Sequence, residues 1–387
     1  MLEKGSSLGE GSSGASSAVL RHRYSLDEMV HLARDGIQAY RSWPEFTGLL
    51  EPRAAFQPDG VLWLPGAAEG WADRECKRLS ELGVPALVLS DADLAERFPA
   101  LNSCVQAPDT LTAKEHTCQG GSAHLLETSG GYFNPQAALE DLAQACRREG
   151  VEIQMNCPVR ELVFASSERT RVAGLRLADG SEISTGEVLN CAGPWCNELI
   201  AQAGIHWPWE LVPTRIQVLY LERPEGVPGN IPVTVDIPGG LYFRLQNRGQ
   251  QLVVGSTLEQ DERERVDRID DFDRFVDSDF QLAKLHALHH RIPAWPYRGQ
   301  VHGYCGLYTV NRNDMHPVVG ATDLIGYWVA NGFSGHGFKL APAIGSMLAQ
   351  QLTGLTVKKH QFDTCVDPAF LAVNRAPLQL SALNVLA

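Results

Sequence analysis

The sequence predicts an α/β fold, as two domains or one large unit, and three observations carry that prediction. The apolar run Tyr327-Trp328-Val329-Ala330 leads through Asn331-Gly332-Phe333-Ser334-Gly335-His336-Gly337-Phe338-Lys339 into an amphipathic stretch at 340–352. This reads as strand, turn and helix: Gly332, Gly335 and Gly337 let the backbone approach a flat ligand, and the helix amides point at negative charge. Within residues 132–204 an amphipathic helical pattern at 135–148 is followed by four strand patterns, so both element types share this part of the chain. Residues 205–304 carry β-branched runs broken by Pro and Gly, as an antiparallel sheet does.

In chain order, residues 5–17 are rich in Gly and Ser, a composition common in flexible tails. Ser25 with Glu28 three residues on reads as a capping box. Met29, Leu32, Ala33 and Ile37 recur at helical spacing, so a helix is expected over 26–42. Residues 61–64 read as a strand, 74–82 as a helix and 91–98 as a short helix stopped by Pro99. Pro135 opens a helix to 148 with Ala138, Leu139, Leu142, Ala145 and Cys146 on its apolar face. Strands follow at 151–155, 159–164, 171–177 and 187–191, then at 215–221, 233–237, 241–245 and 252–255, with one helical stretch near 272–289. Strand alternation sends Tyr242 and Arg244 to one face and Phe243 to the other.

A length of 387 residues with 44% hydrophobic content supports a large core, and a net charge of −13 argues against a nucleic-acid or anionic membrane partner. No stretch is apolar enough to cross a membrane, and no basic-then-apolar leader is read, so a cytoplasmic location is expected. The nine cysteines are scattered without C-x-x-C or Cys/His zinc spacing, which predicts reduced thiols and no metal.

Several segments, in the same order, resemble landmarks of the D-amino-acid oxidase superfamily, the group containing monomeric sarcosine oxidase, glycine oxidase and dimethylglycine dehydrogenase. They are Tyr132-Phe133-Asn134-Pro135, Gly150-Val151-Glu152-Ile153, Gly180-Ser181-Glu182-Ile183, Asn190-Cys191-Ala192-Gly193-Pro194-Trp195, Leu241-Tyr242-Phe243-Arg244, Gly306-Leu307-Tyr308-Thr309 through Pro317-Val318-Val319-Gly320, and the 331–339 motif. The resemblance covers nearly the whole chain. It implies a discontinuous, Rossmann-like FAD-binding domain at 1–45, 132–204 and 305–360, a substrate domain at 46–131 and 205–304, and a tail at 361–387.

That superfamily normally opens with a G-x-G-x-x-G turn, which does not occur in this sequence. Met1-Leu2-Glu3-Lys4-Gly5 resembles the end of the family's second strand, so the βαβ opening of roughly thirty residues that the family carries before it is expected to be absent. An exposed sheet edge is then expected, and with it self-association or a partner chain.

The resemblance also implies which residues hold FAD. Glu3 would bind the adenosine ribose, Val159 would contact the adenine by its backbone, and Ala192, Gly193 and Trp195 would form a turn against the cofactor. Ser12, Ser13, Ala15, Ser16 and Ser17 would run beneath the flavin, with Gly306, Gly332, Gly335, His336, Gly337, Phe338 and Lys339 around it. Gly306 stands where the monomeric oxidase carries a flavin-linked cysteine and Ala15 where other relatives carry a flavin-linked histidine, so non-covalent FAD is expected.

Arg21 and Lys339 match two cations that hold a substrate carboxylate. The plain alternative puts Arg21 in a basic cluster with His22 and Arg23, and Lys339 on a solvated helix start. A cation at a helix N-terminus is disfavoured, which argues for an anionic neighbour. Tyr242 and Phe243 match the aromatic pair of the family's pocket, with Arg244 beside them, although Phe243 fits an ordinary half-buried strand equally well. Ala18 replaces a second arginine, and Val253 replaces a lysine associated with oxygen reduction. The implied activity is oxidation of the C–N bond of a small or N-methyl amino acid to an imine, with electrons passed to oxygen. The alternatives are a dehydrogenase using a quinone or an electron-transfer protein, and a non-catalytic relative that does not retain FAD.

Overall fold

A computed structural model describes residues 1–296, 300–354 and 361–379. The last part of the expected FAD-binding segment, 355–360, and the end of the tail, 380–387, lie outside the described residues.

The largest sheet has eight strands in the order Val301–Asn311, Leu211–Glu222, Gln251–Ser256, Leu241–Gln246, Val233–Asp236, Val61–Leu64, Ala123–Glu127 and Ala86–Ser90. Neighbours are antiparallel except Val233–Asp236, which runs parallel to Val61–Leu64 and joins strands from two distant parts of the chain. Period-two patterning gives this sheet two packed faces. Phe243, Leu252 and Val254 lie in one apolar core with Leu62, Leu64 and Leu288. Val235, Trp63 and Leu125 lie in another with the helices Asp27–Arg41 and Gly337–Thr353.

A smaller sheet sets Tyr327–Asn331 between Val318–Ala321, antiparallel, and Val188–Asn190, parallel. A third, antiparallel, joins Val159–Phe164, Val172–Leu177 and Glu182–Ser184. The expected strand at 151–155 reduces to a single parallel bridge between Leu2 and Gln154, where Glu3 N donates to Gln154 O at 2.9 Å. Helix Pro135–Arg148 has the expected bounds, with Asn134 capping Ala137 N at 3.0 Å.

Some expectations shift. Helix Asp27–Arg41 starts after Leu26 and has no side-chain cap, so Ser25 does not form a capping box; Ser90 and Asp93 form one at helix Asp91–Arg97. The stretch near 272–289 is helical over Ser278–Arg291. The Gly/Ser-rich segment is pinned: Ser12 Oγ donates to Leu307 O at 2.5 Å, and Tyr304 Oη donates to Ala15 O at 3.0 Å.

One helix contact positions the later site. A Cβ added at Gly36 would meet Lys339 O at 2.3 Å, so only glycine lets helix Asp27–Arg41 approach helix Gly337–Thr353 this closely. Pro342 lies inside the second helix and has no N–H for the Phe338 carbonyl. Tyr40 Oη donates to that carbonyl at 2.6 Å instead, and its ring stacks on Phe338 at 5.1 Å.

Candidate active site

The site is built where the pinned Gly/Ser segment, the strand Val19–Leu20 and the glycine turn at 332–337 converge. Ala18 takes a left-handed φ of 49°, its N–H donating to Ser16 Oγ at 3.0 Å, and this bend delivers Val19–Leu20 to its partner Gly131–Tyr132. Arg21 follows directly. On the other side Gly332, Ser334 and Gly335 have positive φ, and the chain turns into helix Gly337–Thr353 carrying Lys339 in its first turn. Asn311 N donates to Ser334 Oγ at 3.0 Å, and Ser334 N donates to Thr309 O at 3.0 Å, which fixes the turn.

Between these elements lies a cleft of about 530 Å³, counting its open mouth, lined by Ser16, Ser17, Val19, Arg21, Val235, Tyr242, Tyr308, Gly335, Phe338 and Lys339. A smaller cavity adjoins it across Ser17, Tyr242 and Tyr308 and reaches Ser12, Ala15 and Gly306. Tyr242 Oη and Ser17 Oγ are 3.0 Å apart, and Arg244 Nε donates to Ser17 O, so both residues grip one segment as strand alternation predicts. Gly255 stands opposite Tyr242 in the sheet, and an added Cβ there would meet the Tyr242 ring at 2.4 Å. The glycine gives that ring its place.

The two cations are buried together. Arg21 is 4% exposed and Lys339 6%, and both lie against the Tyr24 ring, at 4.2 and 5.8 Å from its centroid. Burial first, and then the positive field of Arg21, hold the Lys339 ammonium well below its ordinary range, with Glu127 offsetting part of the effect. Its Nζ has no hydrogen-bond acceptor among the described residues. Glu127, fully buried, is already engaged: it accepts from His22 N, from Arg23 N at 3.2 Å and from Trp63 Nε1 at 2.7 Å, and it lies 3.0 Å from His22 Nδ1. Burial pushes its carboxyl up, but these hydrogen bonds outweigh burial and keep it below the usual value. The cleft is therefore a positive pocket whose nearby carboxylate faces other donors.

Of the residues singled out in the sequence, Ser12, Ala15, Ser16, Ser17, Arg21, Tyr242, Gly306, Gly335, Phe338 and Lys339 line the two cavities. Arg244 lies behind Ser17, with its guanidinium 4.6 Å from the Tyr132 ring. His336 is fully buried edge-on to Tyr24, and Gly337 packs on Phe333. Ser13 closes a turn to Ser16 N, and Gly332 abuts Leu211. Phe243 is a correction: it points through the sheet into the opposite core and does not line the pocket, because its neighbours Tyr242 and Arg244 take the cleft face.

A second group stands apart. Glu3 Oε1 accepts from Gly5 N at 2.7 Å, while Val159 and Ala192 share an apolar cluster with Leu2. Gly193 N donates to Asn331 Oδ1 at 3.2 Å. Trp195 lies under the Lys4 ammonium and 3.7 Å from where a Gly11 Cβ would sit. Sequence reasoning missed Tyr308 and Val235. Tyr308 had a signal, since alternation places it on the same face as Gly306. Glu127 had none, being 105 positions from His22.

The small-residue floor fits a flat flavin ring: an added Cβ at Gly306 would meet Ala15 Cβ at 3.0 Å, and one at Gly335 would strike Tyr308 at 2.5 Å. Neither Ala15 nor Gly306 offers a nucleophile. The adjoining cations suit an anionic ligand beside such a ring.

Residues 1–351 match the model of a family described as FAD dependent oxidoreductase. The bovine (Bos taurus) FAD-dependent oxidoreductase domain-containing protein 1 is 26% identical over 364 residues, covering 86% of this chain and 70% of that protein. Human (Homo sapiens) mitochondrial sarcosine dehydrogenase is 29% identical over 288 residues, 71% of this chain but 28% of that protein. Among solved structures, glycine oxidase from Geobacillus kaustophilus superimposes with a TM-score of 0.76 at 19% identity, covering 97% of this chain and 91% of that one, which supports the fold. With its fold, its small-residue floor and a family match spanning nearly its whole length, this chain belongs to the FAD-dependent oxidoreductase family.

Proposed function

We propose that the chain oxidises the C–N bond of a small amino acid or N-methyl amino acid to an imine, using non-covalently held FAD and passing the electrons to oxygen. The observation that carries this reading is the buried pair Arg21 and Lys339 on one cleft, with the nearby Glu127 committed elsewhere. Ser12, Ala15, Ser16, Ser17, Gly306 and Gly335 would hold the ring end of the cofactor. Bound FAD supplies the hydride acceptor.

The chain's own residues do the positioning. Arg21, whose Nη1 donates to Arg23 O, lines the cleft with its guanidinium charge, and Lys339 adds a compact second charge. Tyr242, Val235 and Phe338 form the walls around the remaining space and favour a small side chain. Burial of both cations keeps water from competing for the anion and strengthens each contact.

Val253 favours a second reading of the acceptor. It is 3% exposed on the strand beside Arg244, where the resemblance places a lysine tied to oxygen reduction. With an apolar side chain there, a dehydrogenase passing electrons to a quinone or an electron-transfer protein is the alternative.

The test uses the FAD-loaded chain under argon with sarcosine, glycine, proline and D-amino acids in turn, following the oxidised-flavin absorbance. Bleaching by at least one of them is expected, and admitting air or an artificial acceptor then separates oxidase from dehydrogenase. No bleaching by any of them, together with no spectral response to the carboxylate inhibitor methylthioacetate, would sink the proposal. Precipitating the protein with acid should leave all the flavin in the supernatant.

A further inference from the structure

We propose that Cys104, His116, Cys118 and His290 form a tetrahedral zinc site that staples the long loop of the large sheet to the end of a helix. Their four ligand atoms all lie within 4.8 Å of one another. Cys104 Sγ is 3.3 Å from His116 Nε2, and Cys118 Sγ is 3.7 Å from His290 Nε2. Zinc bonds of about 2.3 Å to sulfur and 2.0–2.1 Å to nitrogen, at tetrahedral angles, set sulfur and nitrogen about 3.6 Å apart. The two measured edges bracket that figure, so an ion needs shifts of only a few tenths of an ångström along them.

The donor set selects the metal. Two thiolates with two imidazoles suit Zn²⁺, neutralise its charge and leave no open position, which makes the site structural rather than catalytic. Calcium and magnesium prefer oxygen ligands and find none in the set.

The surrounding shell is already in place. The Asn102 amide donates to Cys118 Sγ at 3.1 Å and to His290 O at 3.2 Å, and its Oδ1 accepts from Cys104 N at 3.0 Å. One side chain thus reaches three of the four ligands. Arg291, next to His290, donates to the carbonyls of Asn102 and Cys104 and forms a fully buried bidentate pair with Asp236, both contacts 2.8 Å. Val105 N donates to Gln119 O at 2.9 Å and brings the two cysteine-bearing segments of the loop together. Such outer contacts hold ligands in the geometry a metal needs.

The location gives the ion a purpose. Residues 98–122 contain neither helix nor strand, and a connection of that kind in a compact domain needs something to hold it. The site ties this loop to helix Ser278–Arg291 and, through Arg291 and Asp236, to the strand whose Val235 lines the cleft. Spacing alone does not reveal it, because Cys118 and His290 are 172 positions apart.

The experiment uses the untagged full-length chain, reduced and stripped of metal, with Co²⁺ as the probe. One cobalt per chain is expected, with the strong ligand-field and thiolate charge-transfer absorption of a tetrahedral S₂N₂ site, and Zn²⁺ should displace it and erase the bands. Cys118→Ser and His290→Gln should abolish the bands, while Cys365→Ser, at an exposed cysteine elsewhere, should keep them. Asn102→Ala retains all four ligands and is expected to bind about 10- to 100-fold more weakly, which keeps the test informative if the ligand variants do not fold. Substoichiometric cobalt without charge-transfer bands in the folded parent would overturn the proposal. So would peptide mapping that finds Cys104 joined to Cys118 in a disulfide.

Discussion

Replacing Lys339 with methionine removes a buried cation while keeping an unbranched side chain in its place. In the free protein the ammonium is held well below its ordinary range by burial and then by Arg21. A carboxylate seated by both cations reverses that balance: unit charges about 4 Å apart attract by about 4 kcal/mol at an effective dielectric near 20. After desolvation, one charge-assisted hydrogen bond nets about 1.5–3 kcal/mol. The expected loss for Lys339→Met is therefore roughly 10- to 150-fold in Kd for methylthioacetate, at about 1.4 kcal/mol per tenfold. The assay is a titration of the FAD-loaded chain by visible absorbance, with calorimetry where the optical change is weak. A pH series adds a second readout. Above the pKa of Lys339 in the free protein, ligand binding takes up a proton, so the parent's affinity should fall about tenfold per pH unit and the variant's should not. The sign for stability is the opposite: the unfolded chain holds this proton more tightly, so the parent loses stability as pH drops from the ordinary lysine value of 10.5 through the depressed one, and Lys339→Met should melt higher at neutral pH. A Kd within about threefold of the parent, or an unchanged pH slope, would refute the carboxylate assignment.

Gly36→Leu should separate the helices at Lys339 O, cost about 1–3 kcal/mol by overpacking, and weaken methylthioacetate binding because the cation moves with its backbone; a lower melting temperature with unchanged affinity would break that link. Tyr40→Phe leaves the Phe338 carbonyl without a donor and should cost about 1–3 kcal/mol, most of which Pro342→Ala should restore by supplying a helix N–H. Additive effects in that double-mutant cycle by urea unfolding would count against the substitution of one donor for the other. Glu127→Gln should destabilise by about 3–5 kcal/mol at pH 7. The folded carboxyl lies below its ordinary 4.5, so its contribution is present above that value and disappears as pH falls through the depressed one; an equal penalty at pH 7 and in strong acid would contradict this.

The elements legible in the sequence were those whose cause is local. Pro135 after Asn134 set the start of its helix, and glycines at positive φ marked the turn before Lys339. Alternation put Tyr242 and Arg244 on one face, where the structure has both meet Ser17, and sent Phe243 the other way, so it outperformed the resemblance that set Phe243 in the pocket. The capping box at Ser25 failed because the pattern S-x-x-E states only that a cap is chemically available. Leu26 takes the cap position, and the helix draws its stability from the apolar face that includes Met29, Leu32, Ala33 and Ile37. Glu127 was illegible because its donors sit 64 to 105 positions away and no spacing rule links them.

Pro342 shows how a local rule and a distant contact combine at the site. By its sequence it breaks the helix, yet helix Gly337–Thr353 continues through it. The carbonyl it leaves without an N–H belongs to Phe338, beside Lys339, and Tyr40 can reach that carbonyl only because Gly36, one helical turn earlier, carries no Cβ. Glycine, tyrosine and proline thus form one device that fixes the turn bearing Lys339 against helix Asp27–Arg41. The buried cation, which no stability argument favours, is held where an anion can use it.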